Sequence, residues 1–210
     1  MKIGIIGGGQ LGRMFIQNGL NYGLEFLVLD PDPEAPCSAI ANEFVCADRN
    51  DEEAVYKLGK KCDVVTIEIE NVSIAALKRL RDEGTPVFPQ PEVLEIIRDK
   101  GIQKQFYLDN DLPTADFVLV NSKAEIVNHQ ELLPVMQKMR VGGYDGKGVT
   151  PIKYLADLDT AFDAPSVLEK WVPNTLEISV LVSRNSKGEI KSFPVVELVF
   201  NPEANLVDYL

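Results

Sequence analysis

Lys2-Ile3-Gly4-Ile5-Ile6-Gly7-Gly8-Gly9-Gln10-Leu11-Gly12 is the stretch that decides the fold. An apolar strand pattern runs straight into three glycines, and residues 10–22 then carry apolar side chains at helical spacing. A strand, a tight turn and a helix in that order open a βαβ unit. The glycines fit G-x-G-x-x-G, and Asp30 closes the second strand about twenty residues further on, the spacing of a dinucleotide fingerprint. Taken alone, this points to NAD. The same helix N-terminus also suits a different phosphate, because its N–H groups and dipole favour any anion. Gln10 and Leu11 would then contact a sugar phosphate. A purely structural tight turn is the third reading.

Outward from this stretch, residues 2–6, 25–29 and 63–69 read as strands, and residues 10–22, 51–60 and 73–83 as helices. The alternation predicts a parallel sheet. A short strand at 86–88 leads to Pro89 and Pro91, then to helices over 93–98 and 100–109. Beyond them the pattern turns strand-rich, over 116–120, 135–140, 148–153, 166–171, 176–183 and 189–198, and antiparallel pairing is expected. The expected class is α/β, a Rossmann-like parallel sheet followed by an α+β region, with segments 1–98, 99–172 and 173–210.

Of the 210 residues, 45% are apolar and 25% charged, which suits a folded chain and argues against disorder. A net charge of −11 leaves no basic face for a nucleic-acid backbone, so nucleic acid is not an expected partner. Local basic clusters in such an acidic chain point instead to small anionic ligands. No apolar run reaches the length of a membrane span, and residue 1 leads directly into a strand rather than a signal peptide; no membrane partner and a cytoplasmic location are expected. Cys37, Cys46 and Cys62 lack any C-x-x-C spacing and read as plain buried thiols rather than a disulfide framework or zinc site. His129, the sole histidine, stands in a polar segment and reads as a surface residue.

A second glycine-rich stretch, Gly142-Gly143-Tyr144-Asp145-Gly146-Lys147-Gly148, can close its N–H groups on phosphate oxygens, with Lys147 as a mobile charge and Lys138 and Arg140 upstream. A plain hairpin turn is the competing reading. Gly148 after the lysine excludes a Walker A loop, which needs Ser or Thr there. In the strand over 63–69, Glu68 and Glu70 share a side by the two-residue period, and Glu68 is expected near the first glycine loop, able to accept hydrogen bonds from ribose hydroxyls or an amine. Val167-Leu168-Glu169-Lys170-Trp171-Val172 is an apolar strand entering a polar turn, whose backbone could read an adenine, with Glu177 left for ribose hydroxyls. The Trp171 side chain reads as core before it reads as a stacking platform.

The N-terminal Gly-Gly-Gly-Gln-Leu-Gly-Arg-Met, the strand from Asp63 to Val72, the Asp99-Lys100 pair with Lys104, the segment from Lys138 to Gly148 and Leu168-Glu169-Lys170 come in an order that resembles the ATP-grasp enzymes of purine biosynthesis. The resemblance is greatest to the 5-(carboxyamino)imidazole ribonucleotide synthases, covers essentially the whole chain, and has its most specific motif in Gly-Gly-Tyr-Asp-Gly-Lys-Gly. It implies a pre-ATP-grasp ribonucleotide-binding domain over 1–98, a small ATP-grasp lid domain with its linker helix over 99–172, and the first part of a larger ATP-grasp domain over 173–210.

The activity implied is that of an ATP-dependent carbon-nitrogen ligase. ATP phosphorylates bicarbonate to carboxyphosphate, whose carboxyl group passes to the amino nitrogen of aminoimidazole ribonucleotide. By resemblance, Lys100 and Lys138 contact ATP phosphates, and Gly143, Tyr144, Asp145, Gly146, Lys147, Gly148 and Val149 form the lid over them. Glu169, Lys170, Trp171 and Val172 hold adenine, and Glu177 holds ribose. Gln10, Leu11 and Glu68 face the ribonucleotide, with Tyr144 and Asp145 reaching it from the lid. Lys138, Asp145 and Lys147 are the expected catalytic residues. Mg²⁺ is the implied second cofactor, with its ligands expected beyond residue 210, and a homodimer is the implied assembly. On this reading the 210 residues are a C-terminally truncated piece, not expected to complete the reaction alone. Phe200 departs from the histidine that many relatives carry soon after Phe193-Pro194. An NAD-dependent oxidoreductase, and an ATP-grasp enzyme using formate and glycinamide ribonucleotide, are the alternatives.

Overall fold

The computed structural model describes residues 1–143, 148–173, 176–201 and 206–209. By internal packing the chain divides into two units, Met1–Leu112 and Pro113–Leu210.

The first unit is a five-stranded, all-parallel sheet in the order β3-β2-β1-β4-β5. Its strands are β1 (Lys2–Ile6), β2 (Glu25–Asp30), β3 (Glu43–Cys46), β4 (Val64–Ile67) and β5 (Val87–Phe88). The helices are α1 (Gln10–Gly19), α2 (Glu52–Gly59), α3 (Ile74–Asp82), α4 (Pro91–Arg98) and α5 (Lys100–Asp109). Asp51, Ser73 and Asp99 each stand one residue before a helix and accept a backbone N–H of its first turn, from Ala54, Ala76 and Gly101 respectively. Two apolar clusters hold the layers together. Ile6, Leu27, Leu29 and Val65 pack with Val55, Leu58, Leu77 and Leu80 of α2 and α3, while Ile3, Ile5, Phe26 and Val28 pack with Ile16 of α1.

The parallel sheet expected from the sequence is present, with three differences. Strand β3 has no helix before it and only four residues, Glu-Phe-Val-Cys, too few to show a period. The helix expected over 10–22 ends at Gly19 and tightens into a 3-10 turn over Leu20–Tyr22, closed by Gly23 at φ 65°. Strand β4 stops at Ile67, so Glu68 and Glu70 lie in bends beyond it and the alternation that would put both on one side does not reach them.

In the second unit an antiparallel sheet runs β6-β9-β7-β8, formed by β6 (Phe117–Val120), β7 (Val135–Met139), β8 (Val149–Ile152) and β9 (Ser166–Lys170). One face packs Val120, Val135, Ile152 and Leu168 against Ile126, which comes from a 3-10 segment over Lys123–Leu132. Gln137 on that face is fully buried; its amide donates to the Phe162 carbonyl and the Ser166 hydroxyl and accepts the Phe162 N–H. The expected long strands over 176–183 and 189–198 are broken into shorter pieces: β10 (Ile178–Ser179) pairs β13 (Val196–Glu197), and β11 (Val182–Arg184) pairs β12 (Ile190–Ser192). β14 (Val199–Asn201), which carries Phe200, pairs β15 (Leu206–Tyr209).

Candidate functional site

In a parallel sheet, the crevice for a ligand forms at the carboxyl ends of the strands, where the strand order changes direction. Here that point lies between β1 and β4. The loop after β1 begins with Gly7 at φ 103°, a conformation that glycine adopts without a Cβ penalty. Its Gly8 N–H donates to the buried Asp30 carboxylate at 2.8 Å, and Arg49 Nη1 approaches the same oxygen at 3.3 Å. Asp30 also accepts the Asp32 N–H at 2.9 Å. With 5% exposure, Asp30 has no free edge for a ribose hydroxyl, so the acid of the apparent dinucleotide fingerprint is spent on holding the loop.

Glu68 takes the place beside that loop. Its N–H donates to Ile6 O at 2.8 Å, which extends the β4–β1 pairing by one residue. A Cβ at Gly9 would lie 2.5 Å from Glu68 Oε1, and one at Gly7 would lie 3.0 Å from Glu68 Oε2, so the carboxylate rests on the loop backbone. Glu68, Leu11, Gly12, Phe15 and Thr66 line a cavity of about 260 Å³ at the switch point. Helix α1 opens from Gly9, which has no side chain to cap it. Leu11 and Glu68 therefore meet at one crevice, whereas Gln10, the first residue of α1, is exposed and is not among the residues lining it; Leu11 is exposed and Glu68 half-buried. Phe15 and Thr66 were not singled out, and only the packing of α1 against β4 marks them. Cys37 packs under the glycine loop: its thiol donates to Gly9 O at 3.6 Å, and burial, then the Glu68 and Asp30 charges, push it up to about 11.

Elsewhere in this unit, Lys100 is the half-buried first residue of α5, and Lys104 one turn later is buried. The cysteine expectation needs one correction, because Cys46 is exposed at the end of β3 while Cys37 and Cys62 are covered. His129 is partly exposed beside Glu131, in keeping with a surface residue.

The second constellation lies on the sheet face opposite the Gln137 cluster. Register pairs Lys138 with Val149 and Val167, and Met136 with Glu169, so Lys138 and Glu169 share a face two residues apart. Their side chains form an ion pair at 2.5 Å, with the Glu169 side chain only 16% exposed. Lys170 points the other way and meets Asp116 at 3.6 Å. Trp171 N–H donates to Pro134 O at 2.9 Å, while Val172 and Glu177 are exposed.

The glycine-rich segment rises immediately after this pair. Gly148 has φ 76°, its carbonyl accepts the Met139 N–H at 2.8 Å, and a Cβ on it would stand 2.9 Å from Gly143 Cα. The two ends of the loop thus touch, and only glycine fits at its exit. Tyr144, Asp145, Gly146 and Lys147 lie outside the described residues.

Comparison with known proteins gives two matches along the chain. Residues 1–98 match the ribonucleotide synthetase preATP-grasp domain and residues 105–204 match the ATP-grasp domain. The chain belongs to the ATP-grasp family. It is 40% identical over 202 residues to the N5-carboxyaminoimidazole ribonucleotide synthase of Pseudomonas aeruginosa, covering 93% of this chain and 56% of that protein. Among solved structures, N5-carboxyaminoimidazole synthetase from Staphylococcus aureus complexed with ADP has a TM-score of 0.91 at 34% identity, over 98% of this chain and 56% of that one. The Aspergillus clavatus synthase in complex with ADP and 5-aminoimidazole ribonucleotide has a TM-score of 0.83 at 31% identity, over 96% of this chain and 54% of that one. The chain spans about half the length of the curated relatives it matches.

Proposed function

We propose that the protein is an ATP-dependent carbon-nitrogen ligase of purine biosynthesis that carboxylates 5-aminoimidazole ribonucleotide with bicarbonate, through carboxyphosphate. The ADP and 5-aminoimidazole ribonucleotide bound by a relative named above support the nucleotide and the ribonucleotide, and bicarbonate and carboxyphosphate follow from the resemblance. The observation that favours this reading over a dinucleotide enzyme on the same fold is the Glu68 carboxylate lying on Gly7 and Gly9. A pyrophosphate at that loop would meet a like charge. An amine or a ribose hydroxyl would instead find an acceptor.

In this reading residues 1–98 bind the ribonucleotide through Gln10, Leu11 and Glu68. Residues 99–172 are the lid domain with its linker helix, and residues 173–210 begin the larger ATP-grasp domain. Lys100 and Lys138 neutralise ATP phosphates, and the Glu169 carboxylate holds the Lys138 ammonium in place before nucleotide arrives. The backbone from Glu169 to Val172 receives adenine, with Glu177 at the ribose. Gly143, Gly148 and Val149 frame the loop that covers the phosphates, and Tyr144, Asp145 and Lys147 complete it. Closing that loop excludes water, which protects carboxyphosphate from hydrolysis.

Mg²⁺ belongs to the same proposal as the group that supplies further charge neutralisation at the phosphates. The described residues do not fit it: among them no group of three or more His, Cys, Asp or Glu side chains is gathered to hold a metal ion. A homodimer, which the resemblance implies, and a cytoplasmic location complete the proposal; among the described residues no helix is long and apolar enough to cross a membrane.

The test is phosphate release by the protein that carries this chain. Release from ATP is expected to need both bicarbonate and 5-aminoimidazole ribonucleotide. Stimulation by glycinamide ribonucleotide with formate instead would overturn the assignment.

A further inference from the structure

Helices α4 and α5 meet across a single extended residue. The first ends at Arg98, the second begins at Lys100, and Asp99 stands between them at φ −116° and ψ 109°. The Asp99 carboxylate accepts the Gly101 and Ile102 N–H groups at 2.7 and 3.3 Å, which fixes the first turn of α5 to that joint. The position of Lys100 is therefore set by what holds the end of α4.

Arg98 holds it. Its Nη1 donates to Val72 O at 3.0 Å and its Nη2 to Asn71 Oδ1 at 3.2 Å, so one guanidinium spans two acceptors 26 and 27 positions back in the chain. Val72 is fully buried in the apolar cluster that also contains Leu94 of α4, which makes the backbone anchor firm; Asn71 is exposed. Both acceptors are neutral oxygens. A planar guanidinium offers them N–H groups in a fixed fork, so the contact orients the two segments.

The segment that Arg98 grips is the connection from β4 to α3, which carries Glu68. That connection is tied at its other points too: Glu68 N–H to Ile6 O at 2.8 Å, Val72 N–H to Glu70 O at 3.0 Å and Ser73 N–H to Arg49 O at 2.9 Å. Arg98 therefore joins two parts of the site that lie far apart in sequence. Its acceptor Val72 follows Glu68 by four residues, and Arg98 itself precedes Lys100 by two.

We propose that Arg98 is a positioning residue for both substrates, holding the loop that carries Glu68 and the helix start that carries Lys100 in one frame. The inference rests on the roles given above to Glu68 at the ribonucleotide and Lys100 at the ATP phosphates. Arg98 acts through these two residues and touches neither substrate.

Steady-state phosphate release by the protein tests this, with ATP and 5-aminoimidazole ribonucleotide varied in turn at saturating bicarbonate. Arg98→Met is expected to raise the KM for each substrate about fivefold to tenfold, because small displacements of positioning groups are costly. Asn71→Ala removes only the exposed half of the clasp and should raise both values by a smaller factor, about threefold, in a chain that folds normally. Arg81→Met opens the Arg81 to Glu92 ion pair between α3 and α4 without touching the joint, and should leave both KM values in place. Lys100→Met raises the KM for ATP by itself. Adding Arg98→Met to it should raise the KM for the ribonucleotide but the KM for ATP no further, since the group through which Arg98 acts is gone. Unchanged KM values in Arg98→Met, an equal rise in Arg81→Met, or a further rise in the KM for ATP in the double variant would each overturn the inference while leaving the proposed function standing. No phosphate release by the unsubstituted protein with both substrates and bicarbonate would overturn the proposed function, and this inference with it.

Discussion

The Asp30 carboxylate accepts the Gly8 N–H at 2.8 Å across 22 residues of sequence, tying the end of β2 to the loop after β1. A motif that reads as a cofactor clasp is therefore a structural lock in this chain. Asp30→Ala leaves the Gly8 and Asp32 N–H groups without their acceptor and Arg49 without its partner. The expected loss is about 2–3 kcal/mol, read as a lower urea midpoint, with Asp30→Asn losing less. NADH is expected to give the protein no thermal stabilisation.

Gly9 marks where Glu68 must pass. Its φ of −74° suits alanine, and the obstacle to a Cβ is the end of the Glu68 side chain, which can swing away. Gly9→Ala should hold its melting temperature within a few degrees while moving the carboxylate. The KM for the ribonucleotide is then expected to rise about tenfold or more, with the KM for ATP little changed. An unchanged ribonucleotide KM would remove Glu68 from that site.

Lys138 carries the clearest prediction on the nucleotide side. Lys138→Met removes a phosphate-neutralising charge and takes the ammonium away from the mostly covered Glu169 carboxylate. ATP-dependent phosphate release should fall on the order of a hundredfold, and the thermal shift given by ATP should shrink with it. Glu169→Gln keeps a hydrogen-bond acceptor beside the lysine and should be the milder variant.

Gln137 tests the opposite face of the same strand. Gln137→Met preserves the shape but strands the Phe162 N–H and carbonyl inside the unit. About 2–3 kcal/mol of stability should be lost, measured by denaturant unfolding of the second unit's transition.

Thiol reactivity separates the three cysteines. Cys37 and Cys62 are both pushed up to about 11, chiefly by burial and then by neighbouring carboxylates, Glu68 and Asp30 for the first and Glu43 and Asp63 for the second. At pH 8 only the exposed Cys46 should react with a thiol reagent, giving one modified thiol per chain. Because the folded state holds these protons more tightly than the unfolded state, the thiol contribution to stability is complete below about pH 9. It is lost as pH rises from there through about 11.

The first strand, the glycine turn and α1 were legible because their signals are local: an apolar run, a glycine able to take positive φ, and a helical period within twenty residues or so. The parallel sheet followed from the alternation of strands and helices. Strand β3 was not legible, since four residues carry no period and their place beside β2 is fixed by partners 16 residues away. The breaks within 176–183 and 189–198 were not legible, because apolar residues in those stretches give no sign of where pairing stops.

By itself, the sequence determined the two glycine loops, the βαβ order and the residue types that converge on anions. Only the tertiary structure decided what those residues do to one another: that Asp30 turns inward, that Glu68 rests on Gly9, and that Lys138 meets Glu169 from 31 positions away. Backbone conformation is set largely by near neighbours, whereas the partner of a charged side chain depends on register and loop closure across many residues. A carboxylate at a strand end reads the same in sequence whether it faces a ligand or a backbone amide, and the packing around it makes the choice.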